Sequence, residues 1–461
     1  MTMIDSTQVP APSQVSAGRT TLLPLRVDSR LILGPANAGD HLSIRALLSS
    51  LGREPLPSEF QAQLEEPFYD PSDRLVVRQG GRIVAHLRRQ SRELHFGDQV
   101  LPVVWFTDLA TATEFRRRGL GAAIVSEAER LAQQAGAVLA LTRTAVPEMF
   151  LRRGWVPWGR ACSTRAGARE ILAAIVHQRR EQPRVLDSVV PCQRQPGISV
   201  RLWRHVEQSA LERIYQTNIA RSYGPTVRSS DYWRWLISRH GYDSIYVAVA
   251  GRDRWSLDAR NLVGYAVVKS ERVVELLASP ARPDAAEHLF SRICGDFIEQ
   301  DRCEVCLDAA PDHPWHEWLV EAGGVTTAPE VEHGQVLLAR LFDPARFLAG
   351  LTTELAERTG RIPWPAVRDL ELRFPAFSAR IAVGSQGVEV TPGATSERYL
   401  AGDSAALTQL LLGQDHGGDL LASGRLRVSD QETAELACRL FPKVSFWHPL
   451  WDDLPSASGQ A

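Results

Sequence analysis

A chain of 461 residues with 44% hydrophobic and 23% charged residues is too long for one ordinary hydrophobic core and too apolar for a disordered polymer, so roughly two to four folded domains are expected. A formal net charge of −2 excludes a global attraction to nucleic acid or to an anionic membrane, and any local basic cluster therefore needs a local explanation. No apolar run is long enough to cross a bilayer, and the opening MTMIDSTQVPAPSQVSAG has neither a basic n-region nor an apolar h-region. These features predict a cytoplasmic protein without membrane insertion and without a nucleic-acid partner.

Residues 1–27, rich in Ser, Thr, Pro and Ala without periodicity, read as a flexible leader. RLILGPANAGDHLSIRALLSSLG then starts a strand and two helices, and DRLVVRQGGRIVAHLRRQ places two β-rich runs around Gly80 and Gly81, the chemistry of a hairpin turn. VLPVVWFTDLAT is a strongly apolar strand suited to the middle of a sheet. A helix to Gly136, the strand AVLALTR, the short helix PEMFLRRG and the strand WVPWGR follow.

A similar order recurs after residue 198: the strand ISVRLW, the helices EQSALERIYQTNIA and SSDYWRWLISRHG, the hairpin DSIYVAVAG with NLVGYAVVKS, the strand RVVELLAS, a helix, the strand CEVCLDAA and the helix HPWHEWLVEAGG. The architecture repeats, whereas the motifs do not. A third region from DPARFLAGLTTELAERTG contains the hairpin ARIAVGSQGVEVTPG, a helix capped by Asp403, the strand GRLRVS, and a helix for which Ser429 and Glu432 are expected to form a capping box.

Six scattered cysteines form no disulfide framework. Cys303 and Cys306 make a CxxC with no second pair, and His313 and His316 follow Asp312, the expected helix N-cap. Both patterns read as ordinary strand and first-turn residues, so no metal is expected.

The distinctive stretch is EFRRRGLGAAI, residues 114–124. Leu120, Ile124, Ala128 and Leu131 recur at helical spacing, which puts Gly119 and Gly121 in the first turn. Backbone N–H groups there lack intrahelical partners and the helix dipole is positive, while glycine lets a bulky anion approach closely. Arg116, Arg117 and Arg118 add charge-assisted donors, so the turn suits a pyrophosphate better than a lone carboxylate.

An apolar strand, an RxxGxG turn at Arg116, Gly119 and Gly121, and a helix resemble motif A of the GNAT acetyltransferases, and MFLRRGWVPWG resembles their motif B. The wider order, with LAGDSAALTQLLLG, ASGRLRVSD and LFPKVSFWHPLWDD near the end, resembles the enhanced intracellular survival type. The resemblance implies an α+β (mixed α/β) chain of tandem GNAT folds with mixed, splayed central sheets and a C-terminal sterol carrier protein-like α+β domain. The expected boundaries are a catalytic N-acetyltransferase domain at 28–195, a degenerate GNAT-like domain at 196–342 and the sterol carrier protein-like domain at 343–461. The second domain lacks the glycine turn: PARPDAAEH has Pro280 and Pro283 where backbone donors would be needed.

By resemblance, acetyl-CoA is the co-substrate. Leu109, Ala110 and Thr111 would make main-chain contacts to pantetheine, and Arg117, Arg118, Gly119, Leu120, Gly121 and Ala122, with Arg116, would surround the phosphates. The acceptor would be a primary amine, on a small molecule, an aminoglycoside-like compound or a lysine, and a homo-oligomer, hexameric by resemblance, is implied. The family's motif B tyrosine donates a proton to the departing thiolate. Phe150 occupies that position here and has no proton to give. Asp108 is a catalytic base candidate acting through water, with pairing to an arginine as the structural alternative. The family also places a terminal carboxylate in the active site, and because this chain runs on through SASGQA, Asp452 or Asp453 are the internal substitutes. Trp105, Trp155, Trp158, Trp233 and Trp235 are either acceptor-pocket walls or core. Two functions follow: an acetyl-CoA-dependent N-acetyltransferase, or a catalytically weak CoA-sensing or lipid-binding protein on the same scaffold.

Overall fold

Leucine- and β-branched-rich runs flank Gly80, which takes φ +58, the left-handed angle a tight hairpin requires. From such local choices the computed structural model, which describes residues 25–26, 30–52, 57–159, 162–181, 197–328, 331–332, 335–359, 368–384 and 387–455, builds three sheets. The expected leader lies outside these residues except for 25–26, and SASGQA lies outside them entirely.

The first region runs β1 (Leu25–Arg26), β2 (Leu31–Pro35), α1 (His41–Ser50), α2 (Pro57–Leu64), β3 (Arg74–Gln79), β4 (Arg82–Phe96), β5 (Gln99–Thr111), α3 (Leu120–Gln134), β6 (Leu139–Thr144), α4 (Pro147–Leu151) and β7 (Val156–Pro157). The second comprises β8 (Ser163–Gly167), α5 (Ala168–Glu181), β9 (Ile198–Leu202), α6 (Gln208–Ile219), β10 (Tyr223–Thr226), α7 (Ser230–Ser238), β11 (Ser244–Ala250), β12 (Leu262–Lys269), β13 (Arg272–Ala278), α8 (Ala285–Glu299), β14 (Glu304–Asp308), α9 (Pro314–Glu321), β15 (Val325–Thr327), β16 (Val331–Glu332) and β17 (Gln335–Leu341). The third adds α10 (Pro344–Gly350), α11 (Thr352–Thr359), β18 (Arg368–Phe374), β19 (Phe377–Gly384), β20 (Gly387–Pro392), β21 (Tyr399–Gly402), α12 (Ser404–Leu411), α13 (Gly417–Ala422), β22 (Leu426–Val428), α14 (Gln431–Leu440) and α15 (Leu450–Asp453).

The first sheet is ordered β1-β2-β3-β4-β5-β6-β17-β16, with β10 added on β4 and β7 on β17. The second is ordered β15-β8-β14-β13-β12-β11-β9 and the third β20-β19-β18-β21-β22. The mixed α/β architecture is as expected. The first two regions interlock: β8 follows β7 in the chain yet pairs with β14 in the second sheet, and β17, late in the second region, pairs with β6 in the first. One face of the first sheet packs Val104, Phe106 and Ala140 against Ile124, Val125 and Ala128 of α3. The opposite face packs Val103, Trp105, Leu139 and Leu141 into a core shared with Leu370, Leu410, Leu440 and Phe446 of the third region. Each large apolar side chain so buried contributes roughly 1.5–3 kcal/mol, enough to hold the third region against the sheet without a covalent tie.

Two capping expectations are corrected. α9 is capped by His313, whose ring accepts from Trp315 N, because Pro314 opens the helix one residue later than a cap at Asp312 would allow. α14 is capped by Asp430, which accepts from Thr433 N at 2.8 Å. The carboxylate of Asp430 outcompetes the Ser429 hydroxyl, which instead bonds Asp430 Oδ2 at 2.7 Å, and Glu432 pairs outward with Arg398. Among the described residues, no helix is long and apolar enough to cross a membrane.

Candidate active site

The arginine-glycine turn enters α3 through two left-handed residues, Arg117 at φ +61 and Gly119 at φ +79. Gly119 is the N-cap, and a Cβ there would meet nothing within 4 Å, so the space over the helix N-terminus is open. Leu120 is buried and anchors the helix, while Arg116, Arg117, Arg118 and Gly119 are exposed. Arg116 Nε donates to Thr111 O at 3.3 Å, and the Arg118 guanidinium lies 5.0 Å from the Phe115 ring centroid. Gly121 and Ala122 occupy the first turn, with Met149 Sδ 3.3 Å from where a Gly121 Cβ would stand. A helix N-terminus with open space over its N-cap and three exposed arginines beside it is an arrangement that can hold an anion.

The sheet opens beside this turn. Parallel pairing of β5 with β6 covers only Val103↔Leu139, Val104↔Ala140 and Trp105↔Leu141, although β5 continues to Thr111 and β6 to Thr144. Thr142 Oγ1 takes the Phe106 carbonyl at 2.8 Å in place of a further ladder bond. Beyond it Ala110 and Thr111 pair with β4 and have no β6 partner. This splay leaves Ala110 and Thr111 beside a gap between β5 and β6.

A bulge then aims Asp108. His86 pairs with Ala110 and Arg88 with Thr107, so Asp108 and Leu109 together face Leu87, and Asp108 takes φ +54. Bulges re-aim side chains in this way, and Asp is among the few non-glycine residues that tolerate the left-handed region. His86 Nδ1 lies 3.0 Å from Asp108 O, and Arg74 Nη1 reaches His86 Nε2 at 3.3 Å and Asp108 Oδ2 at 3.8 Å. Burial, with the Arg74 charge adding, holds His86 down to about 3, so the ring is neutral, donating from Nδ1 to the carbonyl and accepting at Nε2. Among the described residues, Asp108 Oδ2 accepts no hydrogen bond. The arginine pairing weighed for Asp108 is thus a loose contact at 3.8 Å.

Motif B is tied to the donor helix from beneath. Phe150 is fully buried, edge-on to Trp155 at 5.1 Å. Glu129 of α3 accepts from Trp155 Nε1 at 2.7 Å and pairs with Arg153 at 2.6 Å and Arg340 at 2.7 Å. Against the cost of burial, these donors hold its carboxyl below the usual range.

On the face of the first sheet away from α3, Asp108, Thr107 and Trp105 line a cavity of about 210 Å³. Its other walls include Glu59 and Gln63 of α2, Arg88, Gln90 and Arg92 of β4, Tyr232 and Trp235 of α7, Arg239, and the segment His448, Asp452–Pro455. The volume is below the roughly 300 Å³ of ordinary ligand pockets, so it suits the reacting end of an acceptor. Of the five tryptophans singled out, Trp105 and Trp235 line this cavity, whereas Trp155, Trp158 and Trp233 are core. Asp452 is consumed by Arg228 and Tyr232, while Asp453 faces His448 Nε2 and Arg143 Nε, each at 3.3 Å. Burial opposes but His448, then Arg143, prevail in keeping the Asp453 carboxyl below the ordinary range. Sequence reading missed His448, Arg143 and Gln63, since only the fold brings them to β5.

Residues 41–157, which contain the turn, the splay and motif B, match the family described as an acetyltransferase (GNAT) domain. That domain makes the protein an N-acetyltransferase by class, and GNAT domains use acetyl-CoA for acetyl transfer. Over nearly the whole chain the fold is similar to solved structures of low sequence identity. A GCN5-related N-acetyltransferase from Kribbella flavida is 16% identical with a TM-score of 0.66, over 91% of this chain and 97% of that one. A probable N-acyltransferase from Enterococcus faecalis is 14% identical with a TM-score of 0.64, over 90% and 97%. Eis1 from Mycobacterium abscessus is 17% identical with a TM-score of 0.59, over 91% and 99%. No curated protein matches the chain in sequence.

Proposed function

We propose that the protein moves the acetyl group of acetyl-CoA to a primary amine that enters through the cavity beside Asp108. The observation that carries this is the meeting of splay and bulge: the strand edge suited to pantetheine, Leu109–Thr111, adjoins the residue whose carboxylate faces the cavity. Residues Arg116–Ala122 would hold the pyrophosphate on the α3 N-terminus. Asp108 would take a proton from the ammonium form of the acceptor through a water, and the resulting amine attacks the thioester carbonyl. Holding amine and thioester together supplies much of the rate. Phe150 has no proton to give the thiolate, so water supplies that proton in this reading.

The same reading carries the domain division at 195 and 342, with one donor site, in the first domain. It takes the third region as sterol carrier protein-like with a packing role, supported by the core it shares with the first sheet. A cytoplasmic, oligomeric enzyme acting on a small-molecule amine, an aminoglycoside-like compound or a lysine completes it. The test is release of CoA thiol on mixing with acetyl-CoA and primary amines such as spermidine, kanamycin and polylysine. Amine-dependent release supports the reading. Acetyl-CoA binding without release for any amine would replace it with a CoA sensor.

A further inference from the structure

A buried cation is costly unless opposite charge meets it, and Arg228 is wholly buried. Two carboxylates from distant parts of the chain converge on it: Glu275 of β13 at 2.9 and 2.7 Å, and Asp452 of α15 at 3.2 and 2.7 Å. The excess negative charge is eased by hydroxyls, Tyr232 donating to Asp452 Oδ1 at 2.9 Å and Tyr265 to Glu275 Oε1 at 2.6 Å. The rings of Tyr215, Trp233 and Trp451 enclose the guanidinium at 4.0, 4.9 and 5.2 Å. Arg239 adds donations to the carbonyls of Trp451 and Asp452 at 2.5 and 3.0 Å.

Everything gripped on one side of this network belongs to α15. The residues flanking the grip, His448, Asp453, Leu454 and Pro455, form a wall of the acceptor cavity, whereas Arg228 and Glu275 stand behind it. Stability alone gives no reason for such a cluster, because well-packed apolar residues often serve a buried site as well or better. Directional charge pairs do supply register: a slip of one residue would put Asp453 into the Arg228 grip and remove it from Arg143 and His448.

Building on the acetyl-transfer reading, we propose that Arg228 is a positioning residue for acceptor recognition. By clamping Asp452 against Glu275 it fixes the register of His448–Pro455, and so sets how well the cavity holds the acceptor rather than how fast the bound acceptor reacts.

The test uses the full chain carrying Arg228→Lys, which keeps the charge but loses the bidentate fork, and Arg228→Met/Glu275→Met, which keeps an apolar filling should the first unfold. Backbone hydrogen exchange is followed in peptides covering 447–455, in α7 and in β13, alongside acetyl-CoA affinity and steady-state kinetics with spermidine. Expected are exchange at least about tenfold faster in 447–455 with α7 and β13 still protected, unchanged acetyl-CoA affinity, and a spermidine KM about tenfold higher with kcat within about threefold. Unchanged exchange in 447–455 overturns the clamp, and faster exchange with an unchanged KM overturns its role in recognition. If the wild type turns over no amine, the acetyl-transfer reading fails, and spermidine protection of 447–455 in wild type but not in Arg228→Lys still decides the proposal.

Discussion

The indole of Trp105, the last β5 residue paired with β6, lies against the imidazole of His448 with ring centroids 4.8 Å apart. That contact joins the point where the first sheet opens to the segment that closes the acceptor cavity. In the proposed reading, the donor reaches Asp108 along the splay and the acceptor past Trp105.

Gly121→Glu places bulk and negative charge where phosphates would sit, while the added Cβ meets only the flexible Met149 Sδ at 3.3 Å, so the chain is expected to fold. Acetyl-CoA at a hundred times its dissociation constant should stabilise the wild type by roughly 2.7 kcal/mol and the variant not at all. Thermal unfolding with and without ligand reads this directly, and equal shifts in both proteins would move the donor site elsewhere.

Asp108→Asn retains the bulge, since Asn also accepts the left-handed region, but cannot take a proton. kcat is expected to fall by about 10²–10⁴-fold with acetyl-CoA affinity unchanged. A loss below about threefold would leave catalysis to proximity alone.

Acidification should weaken the fold through His86. Its ring titrates at about 3 in the native protein and near 6.5 when unfolded, so between those values the unfolded chain binds the extra proton and stability rises with pH. The contribution is complete above about 6.5 and is lost as pH falls toward 3, at about 1.4 kcal/mol per pH unit. His86→Gln, which can still donate to Asp108 O, should flatten this limb in urea midpoints measured at pH 7 and pH 5. Parallel losses in wild type and variant would show that His86 does not titrate with unfolding.

Glu129→Ala strands Arg153, Arg340 and the Trp155 indole N–H beneath the donor helix. Breaking such a part-buried pair should cost about 3 kcal/mol in urea unfolding. A change below about 1 kcal/mol would mean that water replaces the carboxylate at no net loss.

The parts of the site that lie close together in the chain were legible from local rules. A Gly at φ +79 opening an amphipathic helix, with arginines before it and an apolar strand before those, announces an anion site because helix termini and glycine backbones behave alike in any fold. Caps were less legible where two candidates compete within one or two residues, as Asp430 beat Ser429 and His313 beat Asp312. Strands β8 and β17 gave no signal of their own, being short or even in pattern, and the exchange they make between sheets depends on partners far along the chain.

By itself the sequence determined the strand, glycine turn and helix around Gly119 and the lack of a tyrosine at Phe150, all of which follow from the chemistry of neighbouring residues. Only the tertiary structure decided that Asp108 sits on a bulge held by His86, that Asp452 is spent on Arg228 while Asp453 faces His448, and that Trp105 rather than Trp158 lines the cavity beside Asp108. Those outcomes turn on strand register and on charges brought together across hundreds of residues, which no local pattern encodes.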